Sequence, residues 1–120
     1  FRSARFPRPE RMRAADEWRR GRYPWMVSYD GTEQCESWDI GCSEVHVTAD
    51  VAYALGQYLD WTGDDRLFFQ GGAQVLVETA RFWVSRYSPA PEAGKVNLLF
   101  CKGPDEYCGI TSNNLFTNAW

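Results

Sequence analysis

The residues best suited to chemistry lie in one short segment, residues 103–107 (GPDEY). Glycine and proline favour a sharp turn, and two carboxylates, Asp105 and Glu106, follow directly. Tyr107 and Phe100 lie close enough in sequence to shield one of them. Shielding disfavours the charged form of an acid, so the acid can keep a proton near neutral pH and give it to a glycosidic oxygen. Adjacent side chains generally point apart, so the two carboxylates are not an acid–base pair; a turn without catalysis is the alternative reading.

Three further side chains could contact a sugar or an anion. His46 is either a partner for a sugar hydroxyl or a proton, or a histidine that is hydrogen-bonded within the fold or lies on its surface. Trp25 is either a platform for the apolar face of a pyranose or part of an aromatic core. Lys102 directly precedes residues 103–107, which we call the acidic loop. There it could hold an anion such as phosphate or form an ion pair with Asp105. No one of these residues decides the function alone.

The composition indicates a globular chain, with 44% hydrophobic and 24% charged residues. No window approaches the roughly 18 apolar residues of a membrane span. Eight arginines fall within the first 22 residues. They lie on one short helical stretch rather than across a face with stacking aromatics, so we expect neither a nucleic-acid partner nor a membrane partner.

The four cysteines form two pairs with equal spacing, Cys35 with Cys42 and Cys101 with Cys108. This spacing differs from that of a zinc knuckle, and His46 is poorly placed to complete a site. We interpret them as buried free thiols and predict no metal site. Disulfides and metal ligation are the alternatives.

The periodicity predicts helices separated by long loops. Residues 8–20 are predicted to form a helix, with a proline near its start and Gly21 just after its end. Residues 21–30 are predicted to form an extended loop that exposes Tyr23 and Trp25. A second helix over residues 50–61 begins at a cap, Thr48 or Asp50, and stops at Gly63.

The second half continues the helical pattern with one interruption. A short helix from Asp64 or Asp65 reaches the pair Gly71 and Gly72, and a long helix then runs to Arg86. Residues 96–100 predict a single strand, and residues 113–120 begin another helix. Helices joined in pairs favour a ring of helical hairpins whose loops meet at one end.

Several motifs in order make the chain resemble glycoside hydrolase family 65. The similar blocks are GRYPW at 21–25, EVHVTADVAY at 44–53, YLDWTGD at 58–64, ETARFWVSR at 78–86, GPDEY at 103–107, and the pairs Asn113-Asn114 and Thr117-Asn118. Three departures border the presumed site: Met26 follows PW, Cys108 follows GPDEY, and Cys101-Lys102 precede that loop. They leave the acceptor sugar open.

The resemblance implies an all-α fold, a partial (α/α)6 toroid, with residues 1–120 as a fragment of a single catalytic barrel truncated at both ends. It implies inverting cleavage of an α-glucosidic bond in a glucose-containing disaccharide, with Glu106 as the proton donor. The substrate-binding residues that we expect are Trp25, His46, Tyr107 and Lys102.

In the phosphorylases of this family inorganic phosphate is the nucleophile, so one catalytic carboxylate suffices. We expect phosphorolysis, with phosphate as co-substrate and no other cofactor, in a cytoplasmic enzyme whose full-length form could be a homodimer. Two alternatives stay open: a hydrolase of the same family, and a helical carbohydrate-binding module without catalysis. A scaffold of helical repeats would need a period near 34 residues, which is absent from the sequence.

Overall fold

The computed structural model describes residues 21–29 and 31–119; the predicted helix over residues 8–20 lies outside the described residues. About half of the described residues are helical. In chain order its elements are α1 (Trp38–Ser43), α2 (Val47–Thr62), a π-helical turn (Phe68–Gly72), α3 (Ala73–Arg86), β1 (Tyr87–Pro89), β2 (Val96–Leu98) and α4 (Leu115–Ala119).

Helix α2 confirms the strongest helical prediction. It ends where expected, because Gly63 adopts a left-handed conformation (φ 62°) and its N–H donates to the carbonyl of Leu59. Its start differs from the prediction, because the N-cap is His46, which is already in the right-handed helical region. Neither Thr48 nor Asp50 is the cap; Thr48 instead accepts a hydrogen bond from the preceding loop.

The predicted pair of helices joined at the glycine pair is present, but the first member is a π-helical turn rather than a regular short helix. Gly71, at φ 137°, breaks the regular backbone there. Gly72 packs closely against α2: a Cβ at this position would lie 3.0 Å from a methyl carbon of Leu55. Leu55 and Val75 are buried on the facing sides of α2 and α3, so the two helices form a hairpin.

A two-stranded antiparallel sheet departs from the predicted all-α class. Strand β1 pairs with β2, with Tyr87 opposite Leu98 and Pro89 opposite Val96. The sequence predicted the second strand but missed the first, because only three residues directly after a helix carry the pairing. Strand β2 is also shorter than predicted; at Phe100 the backbone turns to φ 52°, which is incompatible with a continuing strand.

The core lies beneath the acidic loop and joins distant parts of the chain. It consists of Val45, Phe82, Leu98 and Cys101, with Trp83 packed against it. All four cysteines are free thiols, as predicted. Their predicted burial holds only for Cys101, because Cys35 is half-buried and Cys42 and Cys108 are exposed.

Many large apolar side chains lie on the surface of this chain. The most exposed include Trp61, Phe69, Val84, Phe100, Tyr107 and Leu115. Within the described ranges, each helix is either too short or too polar to cross a bilayer.

Candidate active site

The acidic loop is fixed at both ends by the residues that flank it. Cys101 and Thr111 exchange two backbone hydrogen bonds of 2.9 Å, which close the loop. At its start, the Lys102 N–H donates to the carbonyl of Ser43 at 3.0 Å, and the Thr117 hydroxyl donates to the Lys102 carbonyl at 3.2 Å. The loop is therefore held against the end of α1 and the start of α4.

Asp105 binds its own turn. Its carboxylate accepts hydrogen bonds from the Tyr107 N–H at 3.0 Å and from the Cys108 thiol at 3.1 Å. The thiol contact is the first cause that lowers the pKa of Asp105, followed by the backbone N–H groups of the turn. An ionised, capped Asp105 is unsuited to donate a proton, which separates its role from that of its neighbour.

Glu106 points the other way and meets Trp25. The indole Nε1–H of Trp25 donates to Glu106 Oε1 at 2.5 Å, across 81 positions of sequence. The carbonyl of Glu106 accepts a hydrogen bond from Lys102 Nζ at 3.0 Å. The Trp25 indole thus orients the carboxyl group of Glu106, and the Lys102 ammonium group holds the backbone of Glu106.

Glu33, which sequence reasoning missed, fixes the loop that carries Trp25. Its carboxylate accepts from the backbone N–H groups of Trp25 at 2.7 Å, Met26 at 3.0 Å and Cys35 at 3.1 Å. The described residues 21–29 are non-helical, as predicted, and Val27 forms an isolated antiparallel bridge with Glu33. No local pattern marks a glutamate that caps a loop eight residues away, so only the structure could identify it.

Tyr23 corrects the prediction that this loop exposes both of its aromatic residues. Tyr23 is only 5% exposed, because its N–H donates to Thr48 Oγ1 at 3.0 Å and draws the chain onto the start of α2. Burial raises the pKa of the Tyr23 phenol. Trp25 is partly buried, and its ring packs against that of His46.

His46 lies between two aromatic rings. Its ring centroid is 5.4 Å from that of Trp25 and 5.4 Å from that of Phe116, the second pair being edge to face. Burial lowers the pKa of His46, while the nearby Asp50 carboxylate and the Lys102 backbone oppose this shift. His46 is therefore neutral at pH 7 and packs beside the tryptophan that binds Glu106.

Glu44 is a second carboxyl group in this region, and no role was predicted for it. It is 0% exposed, and its Oε2 lies 3.3 Å from His46 Nδ1. Burial raises the pKa of Glu44 to about 7. Glu44 belongs to the block EVHVTADVAY, so the motif was visible, but the burial of its side chain was not.

Lys102 is buried, at 3% exposure, and its ammonium group contacts Asp39 Oδ2 at 3.0 Å as well as the Glu106 carbonyl. From the sequence alone, Asp105 is a possible ion-pair partner of Lys102. The partner in the structure is Asp39 on α1. This pairing is the first cause that lowers the pKa of Asp39.

The expected shielding of the acid by Tyr107 and Phe100 is wrong. Tyr107 is 97% exposed and Phe100 is 71% exposed. The tight turn at Asp105 directs Tyr107 outward, and the left-handed backbone at Phe100 turns that ring away. Trp25 covers Glu106 instead. The structure thus groups Glu106, Trp25, His46 and Lys102 and leaves Tyr107 apart from them.

Within residues 21–29 and 31–119, no three histidine, cysteine, aspartate or glutamate side chains are grouped so as to hold a metal ion. The Trp25 indole N–H contacts the Glu106 carboxyl group, the Lys102 ammonium group contacts the Glu106 carbonyl, and His46 packs against the indole. This arrangement orients the Glu106 carboxyl group beside aromatic surface.

Comparison with known proteins finds similar sequences among disaccharide phosphorylases. An α,α-trehalose phosphorylase of Thermoanaerobacter brockii is 37% identical over 97 residues, 80% of this chain and 12% of the relative. A kojibiose phosphorylase of Caldanaerobacter subterraneus is 33% identical over 116 residues, 88% of this chain and 15% of the relative. A maltose phosphorylase of Bacillus subtilis is 35% identical over 101 residues, 82% of this chain and 13% of the relative.

The chain therefore spans only 12% to 15% of the length of these relatives. The family model described as the glycosyl hydrolase family 65 central catalytic domain matches residues 1–120. The chain belongs to glycosyl hydrolase family 65, as the order of its motifs predicted.

Proposed function

We propose that the protein to which this chain belongs cleaves an α-glucosidic bond in a glucose-containing disaccharide by phosphorolysis, with inversion to β-glucose 1-phosphate. The observation that carries the proposal is the 2.5 Å hydrogen bond from Trp25 Nε1 to Glu106 Oε1. Because the indole can only donate, Oε1 is the accepting oxygen, and Oε2 is left to hold the proton of a general acid.

In the proposed reaction Glu106 gives this proton to the glycosidic oxygen. The bond between that oxygen and the anomeric carbon breaks, and its electron pair stays on the oxygen of the departing sugar. An oxygen of inorganic phosphate attacks the anomeric carbon from the opposite face, which inverts its configuration. Phosphate is itself a nucleophile, so a second carboxylate acting as a base is unnecessary.

The residues around Glu106 supply a surface suited to sugars. The partly buried ring of Trp25 and the neutral imidazole of His46 lie together beside the acid, and we assign both to substrate binding. The exposed Tyr107 and the ammonium group of Lys102 are the further binding residues that we propose. Lys102 already makes two contacts, which use two of its three N–H donors.

We further propose that this chain is one part of a single catalytic (α/α)6 barrel. The hairpin of α2 and α3 is one of the helical pairs such a ring requires. The large apolar side chains on its surface are the faces that neighbouring hairpins would cover.

The test is to incubate the full-length protein with maltose, kojibiose and trehalose, each with and without phosphate. Free glucose and both anomers of glucose 1-phosphate are measured over time. Phosphorolysis predicts that cleavage requires phosphate and yields the β-anomer. Equal release of glucose without phosphate would assign the protein to the hydrolases, and an α-configured product would contradict inversion.

A further inference from the structure

Glu44 is the least expected side chain in the described part of the chain. It is 0% exposed, and among the described residues neither of its carboxyl oxygens has a hydrogen-bond partner. An unsatisfied buried carboxyl group costs stability, and an ionised one costs far more. Core packing would be served as well by leucine, so the acid calls for a reason beyond volume.

Glu44 is connected to the proposed acid through two intermediate residues, His46 and Trp25. Its Oε2 lies 3.3 Å from His46 Nδ1, which also has no hydrogen-bond partner among the described residues. The His46 ring lies 5.4 Å from the Trp25 ring, and Trp25 Nε1 donates to Glu106. At 3.3 Å, Glu44 Oε2 and His46 Nδ1 are close enough for a hydrogen bond when the carboxyl group and the ring are aligned.

We propose that Glu44 is a positioning residue of the site: its protonated carboxyl group donates to His46 Nδ1 and so orients the ring against which Trp25 holds Glu106. The proton remains on Glu44, and the imidazole remains neutral with its N–H on Nε2. That Nε2 faces Asp50 Oδ2 at 3.9 Å, the side on which an N–H is favoured. This inference rests on the proposed function of Glu106.

The surrounding charges favour the neutral pair over a carboxylate and an imidazolium. Burial raises the pKa of Glu44 to about 7 and lowers the pKa of His46, so both shifts keep the proton on the carboxyl group. The groups whose charges act on Glu44 lie on α1 and on the acidic loop: Lys102, which lowers its pKa, and Glu106, Asp105 and Asp39, which raise it. On the side of α2 it faces His46, which in turn faces Asp50.

The test compares Glu44→Gln with the wild type in the full-length protein. Glutamine has nearly the same shape, and its amide can donate to Nδ1 at every pH. A group with a pKa of about 7 is about one tenth ionised at pH 6 and about nine tenths ionised at pH 8. We expect the ratio of kcat for Glu44→Gln to kcat for the wild type to rise about tenfold between pH 6 and pH 8.

The control is Glu36→Gln, the same change at an exposed glutamate, whose ratio to the wild type should stay constant with pH. Glu44→Leu keeps the volume but lacks a donor, so its kcat at pH 6 should fall at least about tenfold below that of Glu44→Gln. If Glu44→Leu fails to fold, the pH ratio of Glu44→Gln still decides the question.

Thermal unfolding separates the role from simple burial. Because the fold raises the pKa of Glu44 above its ordinary value of 4.5, folding opposes ionisation, and stability falls as pH rises from 4.5 to 7. Glu44→Gln should therefore raise Tm more at pH 8 than at pH 5. If Tm shifts in this way while the kcat ratio stays flat, Glu44 is buried but positions nothing, and the inference is overturned. A failure of phosphorolysis would appear separately, as phosphate-independent cleavage by the wild type.

Discussion

Asp105 and Glu106 are adjacent in the chain but make opposite kinds of contact. Asp105 accepts an N–H and a thiol from its own turn, which stabilises its charged form. Glu106 reaches across to an aromatic donor from a different loop. A general acid must be able to hold a proton and release it to the substrate, and only the second arrangement leaves an oxygen free for this.

This difference gives the first prediction. Glu106→Gln should lower kcat for disaccharide cleavage by about 10² to 10⁴-fold, because the amide cannot supply the proton. Asp105→Asn should lower kcat by less than about tenfold, since the turn keeps its backbone hydrogen bonds. Steady-state kinetics of both variants at saturating phosphate provide the comparison. A larger loss in Asp105→Asn would show that the wrong acid was assigned.

The second prediction concerns the indole donor. Trp25→Phe keeps an aromatic ring but removes the Nε1–H that binds Glu106 at 2.5 Å. Loss of a hydrogen bond to a charged or reacting group corresponds to about 1.5–3 kcal/mol, so kcat should fall by about 10 to 100-fold. Trp61→Phe is the matched control: it makes the same change at a tryptophan on α2 that has no hydrogen bond to Glu106 among the described residues, and it should leave kcat unchanged. Equal kinetics for the two variants would remove Trp25 from the machinery.

At the scale of elements, the site depends on how closely the Trp25 loop approaches α3. Gly21 begins this loop at φ +76°, and a Cβ there would lie 2.0 Å from the carbonyl oxygen of Glu78. Two backbones therefore meet at a position where any side chain would separate them. The loop's later part is held by the Glu33 carboxylate, so the approach at Gly21 fixes its first residues.

Gly21→Ala should therefore destabilise the protein by about 2–4 kcal/mol, from the strained φ and the clash together. Gly56→Ala is the control of opposite sign: Gly56 lies within α2 and has open space around it. Alanine there should stabilise the helix by about 0.5–1 kcal/mol. Thermal unfolding of the two full-length variants measures both effects. A Gly21→Ala protein as stable as the wild type would contradict the close approach.

Across the described part of the molecule, the exposed apolar side chains support the proposed barrel. Trp61, Phe69, Val84 and Leu115 are all more than 70% exposed. The apolar area that a ring of hairpins would bury between neighbours faces water here. Only eight hydrophobic residues of the described part are buried.

Residues 1–120 expressed alone should therefore aggregate or fold without cooperativity. The measurement is a thermal unfolding curve of the isolated chain, together with its size by light scattering. We expect a broad transition or none, and oligomers of mixed size. A sharp transition in a monomeric sample would contradict this expectation and the proposed barrel with it.

The family, the main helices and the position of the acidic loop could be predicted from the amino-acid sequence alone. These follow from local signals: the motif order of residues 21–118, the helical spacing that ends at Gly63, and the turn chemistry of residues 103–107. Each depends on residues near one another in the chain. The β1–β2 pairing escaped prediction because it joins residues on either side of a loop through backbone groups that carry no sequence signal.

The side chains around Glu106 could be identified only from the packing of segments that are distant in the sequence. Trp25 covers the acid from 81 positions away, Asp39 takes the ammonium group of Lys102 from 63 positions away, and Tyr107 turns outward although it is next in the chain. The Glu44 side chain is likewise buried beside His46, although its local sequence does not predict this burial. Burial and the field of distant charges set the protonation of a carboxyl group, and both are properties of the packed molecule rather than of any stretch of its sequence.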